Sequence, residues 1–168
     1  MADGTRMHRV TLQPAVPSDD DLLYAVFAST RELEMQLLAW PRERRDALLR
    51  MQFEAQERQI GGGHASVERS IVLVDGRPVG RLYVSRDEAC VHLLDIALLP
   101  EHRRRGIGTA LITWLQAEAA AGGVPLRLHV ARTNPAARLY QRLGFRPAGG
   151  DAVYAAMEWT ALTAEAAG

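Results

Sequence analysis

Between Leu98 and Thr109 the chain passes from an apolar run through a proline and three consecutive arginines to two glycines one residue apart. The residues on either side restrict the architecture further. Val91 to Leu99 is almost continuously apolar, as expected of a strand covered on both faces. Ile107, Ala110, Leu111, Trp114 and Leu115 recur at helical spacing until Gly122-Gly123 ends the pattern, and Leu126 to Ala131 then reads as a second strand. A strand, a helix and a strand joined in this way form a right-handed crossover between parallel neighbours.

The other segments supply antiparallel partners and more helices. Met7 to Gln13 reads as a first strand. Ser18 and the three aspartates after it read as an N-cap and an acidic first turn, leading into Leu22, Leu23, Val26 and Phe27. Trp40-Pro41 opens a second helix with Pro41 in its first position. Leu48, Met51 and Ala55 are expected on one side of it, with Arg50–Glu54 and Glu54–Arg58 as solvent-side pairs and Gly61-Gly62-Gly63 as the stop. Ser70 to Val74 turns at Asp75-Gly76 into Val79 to Ser85, a hairpin pattern. Ala136 to Leu143 reads as a short helix closed by Gly144 and Phe145 in a Schellman stop, and Val153 to Trp159 as a last strand. The expected fold class is α+β: a mixed sheet with helices on both faces, formed by one domain over residues 1–160 with a short flexible tail, 161–168.

Composition narrows the function classes. Lysine plus arginine and aspartate plus glutamate both number 20, so no global field draws the chain to nucleic acid or an anionic membrane, and any anion site must be local. Cys90 is the single cysteine, which excludes an intrachain disulfide. No stretch reads as a signal peptide or a membrane span, and no metal-ligand cluster is visible, so the cytoplasm is the expected compartment.

The arginine-glycine segment suits phosphate. A helix N-terminus presents unpaired amide N–H groups and a partial positive charge. Gly106 and Gly108 remove the Cβ atoms that would hold a pyrophosphate away from the backbone, and Arg103, Arg104 and Arg105 add charged donors. No Gly-x-x-x-x-Gly-Lys-Ser/Thr run exists, which excludes a P-loop. Leu111 stands where a dinucleotide-binding fingerprint needs its third glycine.

Arg103-x-x-Gly106-x-Gly108, between its strand and helix, resembles the Gln/Arg-x-x-Gly-x-Gly/Ala signature of the GNAT N-acetyltransferases. Asn134-Pro135-Ala136-Ala137-Arg138-Leu139-Tyr140-Gln141-Arg142-Leu143-Gly144-Phe145 is similar to that family's second block, Asn…Leu-Tyr-x-x-Leu-Gly-Phe. The clear resemblance covers residues 91–147. It implies a fold whose two parallel strands splay apart to admit acetyl-CoA. Backbone groups of Ile96, Ala97 and Leu98 are then expected to pair with the pantetheine arm. Amides from Arg104 through Gly106, Ile107 and Gly108 to Thr109 are expected to cradle the pyrophosphate. Asn134 is expected to contact the cofactor at the splay, and Tyr140 to lie near the thioester sulfur as proton donor to the leaving thiolate. The Asn134–Tyr140 spacing is one residue shorter than in many members, which leaves Thr133 as the alternative to Asn134.

An amine must lose a proton before it attacks the thioester. The candidate bases are His92 and Asp95, on the strand before the loop, and His129, on the parallel strand, with water as an alternative. Strict alternation places His92 with Leu94 and Ile96, opposite Asp95. The resemblance thus implies acetyl-CoA-dependent transfer to an amine acceptor. A non-catalytic acyl-CoA-binding module, a hydroxyl acceptor and a different acyl-CoA stay open, as does the choice between monomer and homodimer.

Overall fold

The computed structural model describes residues 9–162. Its seven strands are β1 (Val10–Pro14), β2 (Glu68–Val74), β3 (Arg77–Arg86), β4 (Val91–Leu98), β5 (Leu126–Ala131), β6 (Arg146–Gly150) and β7 (Tyr154–Trp159). The helices are α1 (Asp20–Thr30), α2 (Glu32–Gln36), α3 (Arg42–Gly63), α4 (Ile107–Gly122) and α5 (Ala136–Arg142). One sheet runs in the order β1-β2-β3-β4-β5-β7-β6, and every neighbouring pair is antiparallel except β4–β5. This is the mixed sheet expected from the sequence.

Each face of the sheet carries its own core. On one face Ile107, Leu111, Ile112 and Leu115 of α4, with Tyr140 of α5, pack on Val72, Leu82, Val84, Leu93, Leu126 and Leu128. On the other, Leu23 and Phe27 of α1 and Leu49 and Phe53 of α3 pack on Ile71 and Tyr83. Gly123 ends α4 at φ 64°. The α5 stop has its two expected bonds, Phe145 N–H to the Tyr140 carbonyl and Gly144 N–H to the Gln141 carbonyl, each 3.0 Å.

Several local expectations change. Met7 and His8 lie outside the described residues, so the first strand is described from Val10. Ser18 does not cap α1; it sits in a 3-10 turn, Pro17–Asp19, and α1 begins at Asp20. Pro41 is the N-cap of α3 rather than its first residue, and α3 runs through the three glycines to end at His64. The buried face of α3 is Leu49 and Phe53, while Met51 is exposed, because Phe53 fits between the Tyr24 and Phe27 rings of α1 at 5.7 and 5.6 Å. Arg50 turns from Glu54 to Asp20, 2.9 Å away on α1. Trp114 is half exposed on the outer side of α4. β6 and α2 have no counterpart in the sequence reading.

Gly80 fixes how closely β3 meets β4. A methyl group there would stand 2.3 Å from the Ala97 carbonyl oxygen and 3.1 Å from Leu98 Cα. Gly80→Ala should therefore cost about 1–3 kcal/mol through overpacking, read as a lower Tm. An unchanged Tm would show that β3 can yield without loss.

Candidate active site

β4 and β5 share only three register pairs: Val91–Leu126, His92–Arg127 and Leu93–Leu128. Beyond Leu93 and Leu128 the strands part, β4 continuing along β3 and β5 along β7. Ile96, Ala97 and Leu98 border the wedge so formed. An extended ligand can bind such a strand edge as an added strand, through main-chain hydrogen bonds.

The wedge leads toward the start of α4. Its N-cap is Gly106, at φ 78°, so no side chain satisfies the first-turn amides. The first bond back into the helix is from Ala110 N–H to the Gly106 carbonyl, leaving the Ile107, Gly108 and Thr109 amides without backbone acceptors among the described residues. A Cβ on Gly108 would meet nothing within 4 Å beyond its own turn of helix, so packing does not explain the glycine there. Arg104, at φ 57°, is a second left-handed residue in this loop, where alternating backbone hand makes anion-binding concavities.

The three arginines divide by contact. Arg103 Nε donates to the Leu98 carbonyl at 2.9 Å and its Nη2 to Ser29 Oγ at 3.1 Å, tying the loop to β4 and α1. Arg104 and Arg105 are exposed and have no ion-pair partner among the described residues. Asn134 Oδ1 accepts the Ala136 N–H at 2.9 Å, an Asx turn just ahead of α5, whose N-cap is Pro135.

The candidate catalytic side chains are rearranged by a β-bulge. Tyr83 pairs with Asp95 but Val84 pairs with Leu93, so Leu94 is an extra residue on β4. Ile96 consequently packs on the α4 face and Leu94 on the α1–α3 face. Asp95 also turns to the α1–α3 face, where it meets Arg81. The expectation that Asp95 lies opposite His92 is therefore corrected. His92 is on that same face, its ring centroid 5.2 Å from that of His64 at the end of α3.

Asp95 belongs to a buried charge network. Arg81, only 1% exposed, directs Nε to Asp95 Oδ2 at 2.6 Å and Nη1 to Glu57 Oε1 at 3.5 Å, and Nη2 donates to Gln56 Oε1 at 3.0 Å. The Arg81–Asp95 contact is a buried ion pair. Burial pushes the Asp95 carboxyl up, and the Arg81 charge opposes that rise. With a guanidinium in contact we treat Asp95 as an ionised, structurally paired carboxylate. Asp95 also acts on Tyr140, whose phenol is pushed up to about 12, first by burial and then by that negative charge. Tyr140 is nearly buried, its ring edge-on to Phe145 at 5.6 Å, and its hydroxyl makes no hydrogen bond with the described residues.

His92 Nε2 lies 3.2 Å from Asp87 Oδ2. His129 follows Leu128, the last parallel-paired residue of β5, and is exposed. It lowers the proton affinity of His64, as do burial and His92 more strongly, while Asp87 opposes them. Thus the histidines of α3, β4 and β5 gather beside the point where the strands part.

A profile of the Acetyltransferase (GNAT) family matches residues 27–145, most of the chain. The chain belongs to the GNAT acetyltransferase family. This makes it an acetyltransferase with acetyl-CoA as donor, and the unpaired amides, the open space at Gly108 and the unpaired arginines fit that donor's phosphates. Solved structures share the fold. The PaiA N-acetyltransferase of Thermoplasma acidophilum in complex with coenzyme A superposes with a TM-score of 0.66 at 17% identity, over 91% of this chain and 99% of that one. An acetyltransferase of Thermus thermophilus gives 0.65 at 21% identity, over 92% and 100%. A protein of Corynebacterium glutamicum described as histone acetyltransferase HPA2 and related acetyltransferase gives 0.63 at 24% identity, over 92% and 98%. No curated protein matches the sequence.

Sequence reasoning did not single out Gly80, Arg81, Asp87 or His64, which the structure places against β4. His64 comes from the end of α3, far from β4 in sequence, and only packing brings it there; Arg81 is on the neighbouring strand β3, and the β4 bulge decides that Asp95 faces it. Asp87 had a local signal, a carboxylate five residues before His92 in a turn.

Proposed function

We propose that this GNAT protein is an N-acetyltransferase in which an amine attacks acetyl-CoA directly, within one domain spanning residues 1–160. The reading rests on one observation above all: the wedge between β4 and β5 leads to a helix start whose first amides have no acceptor among the described residues. Acetyl-CoA supplies an activated thioester. Backbone groups of Ile96, Ala97 and Leu98 hold the pantetheine arm, and the N–H groups near Leu98 polarise the carbonyl. Amides from Arg104 to Thr109 bind the pyrophosphate, with Arg104 and Arg105 supplying charge and Arg103 holding the loop to β4 and α1. Asn134 borders the cofactor from the start of α5. Tyr140 donates a proton to the departing sulfur, and His92 or His129 accepts one from the amine, while the Asp95 charge helps keep the Tyr140 phenol protonated. Holding amine and thioester together supplies much of the rate.

The acceptor approaches from the segment between α1 and α3. Within it Arg31 lies 3.4 Å from Glu34, and at its α3 end Trp40 stacks under Arg44 at 4.2 Å. Turnover of acetyl-CoA with a panel of a primary alkylamine, an arylalkylamine, an amino acid and a short peptide tests the reading. Coenzyme A binding without turnover of any amine would favour a binding module instead. With an active amine in hand, charge removal at Arg31, Glu32 and Glu34 should raise its KM several-fold and leave acetyl-CoA affinity unchanged. Unchanged amine KM in all three variants would move the acceptor to the other wall.

A further inference from the structure

We infer that Asp87 and His64 are positioning residues for His92, with Asp87 fixing the His92 tautomer so that Nδ1 is the atom that takes the acceptor's proton. This deepens the N-acetyltransferase reading and chooses between its two histidines. The first observation is the turn between β3 and β4. Asp87 N–H donates to the Cys90 carbonyl at 3.1 Å, and Asp87 Oδ1 accepts the Ala89 N–H at 2.8 Å. One carboxylate oxygen is thereby fixed to the backbone, and the other, Oδ2, is held toward His92 Nε2 at 3.2 Å. The Ala89 N–H and the His92 contact both hold the Asp87 carboxyl below the ordinary range, so it is a carboxylate at neutral pH. A carboxylate only accepts hydrogen bonds, so Nε2 must carry the hydrogen and Nδ1 of the neutral ring is left as the acceptor.

The second observation is the set of groups around the ring. His64 stands against it from the end of α3, with the rings tilted by 54°. Ser85 of β3 and Arg127 of β5 are its register neighbours, and Arg127 is committed to Glu158 at 2.6 Å. His129 is near enough to act on His64, and Asp87 meets the His92 ring at Nε2. Burial and these neighbouring imidazoles keep His64 short of protons, so a neutral ring covers His92 when His92 gains its charge. His129 has no orienting hydrogen bond among the described residues, which sets it apart from His92. In the step itself the ammonium N–H bond breaks, the proton passes to Nδ1, and the electron pair stays on nitrogen for attack on the thioester. A base held by a third group is the geometry that general-base chemistry needs.

Imidazole nitrogen NMR on the whole protein tests the assignment without turnover. His92 should be in the Nε2–H form, and Asp87→Asn, which keeps the Ala89 contact through its amide oxygen and turns its NH2 toward Nε2, should shift His92 to the Nδ1–H form. His92→Phe should raise the His64 titration midpoint toward the ordinary range, since a neighbouring positive charge is lost. In the acetyl-CoA assay with the most active amine of the panel, Asp87→Asn should lower kcat at least tenfold without changing coenzyme A affinity, and Asp87→Glu should recover part of it. A wild-type His92 that is mixed or in the Nδ1–H form overturns the proposal, as does wild-type kcat in Asp87→Asn. If no amine turns over, the N-acetyltransferase reading fails by itself, and the tautomer measurement still decides whether Asp87 orients His92.

Discussion

Tyr140→Phe should reduce kcat by about a hundred- to ten-thousandfold, the usual worth of a positioned proton donor, while coenzyme A affinity stays within error. The ring's packing would survive, because its edge contact with Phe145 and its burial in the α4-side core involve carbon atoms only. What is lost is a hydroxyl that makes no hydrogen bond with the described residues, so no internal bond is broken by its removal. The pH dependence follows from the direction of the shift. Burial and the Asp95 charge both favour the neutral phenol and push it up to about 12, so Tyr140 keeps its proton throughout the ordinary assay range. Its removal should therefore lower the rate by the same factor at every assay pH, without moving either limb of the profile. The measurement is kcat under conditions where chemistry limits turnover. A wild-type kcat in that regime would assign Tyr140 to packing alone.

Gly108→Val should weaken coenzyme A by about a hundredfold. Two hydrogen bonds from amides to charged phosphate oxygens are worth about 3 kcal/mol together, which corresponds to that factor. Position 108 isolates the effect better than its neighbour. Gly106 has φ 78°, so a valine there would add backbone strain to any loss of phosphate contact. Gly108 does not have a left-handed backbone, and a Cβ there meets nothing within 4 Å beyond its own turn of helix, so Gly108→Val should fold and melt as the parent does. Calorimetric titration with coenzyme A reads the result. Parental affinity in a folded Gly108→Val protein would remove this helix start from the cofactor site.

The α4 segment shows what was legible in the sequence. Its glycines, its arginines and the apolar run ahead of them are local features, and local features decide where a strand stops and a helix with an unsatisfied N-terminus begins. Period and punctuation were enough to find β5, whose limits of Leu126 and Ala131 agree with the structure. The same holds for the Gly144 stop. The face of α3 was less legible. Leu48, Leu49, Met51 and Phe53 offer apolar groups on more than one side, and the Tyr24 and Phe27 rings of α1 selected Leu49 and Phe53.

The sequence by itself determined most of the elements, the parallel crossover they compose and the helix start built for an anion, because strand and helix signals lie in local periodicity and punctuation, although β6 and α2 escaped them. Tertiary structure alone decided the face of Asp95 and the company of His92. The bulge at Leu94 exists only because β4 pairs with β3 in a particular register, and it moves Asp95 from the side that alternation assigns to the side where Arg81 is buried. His64 reaches His92 only because α3 packs along that same face after continuing through three glycines. A strand's side-chain direction is a property of its pairing as much as of its sequence, so one unpaired residue reverses every assignment beyond it.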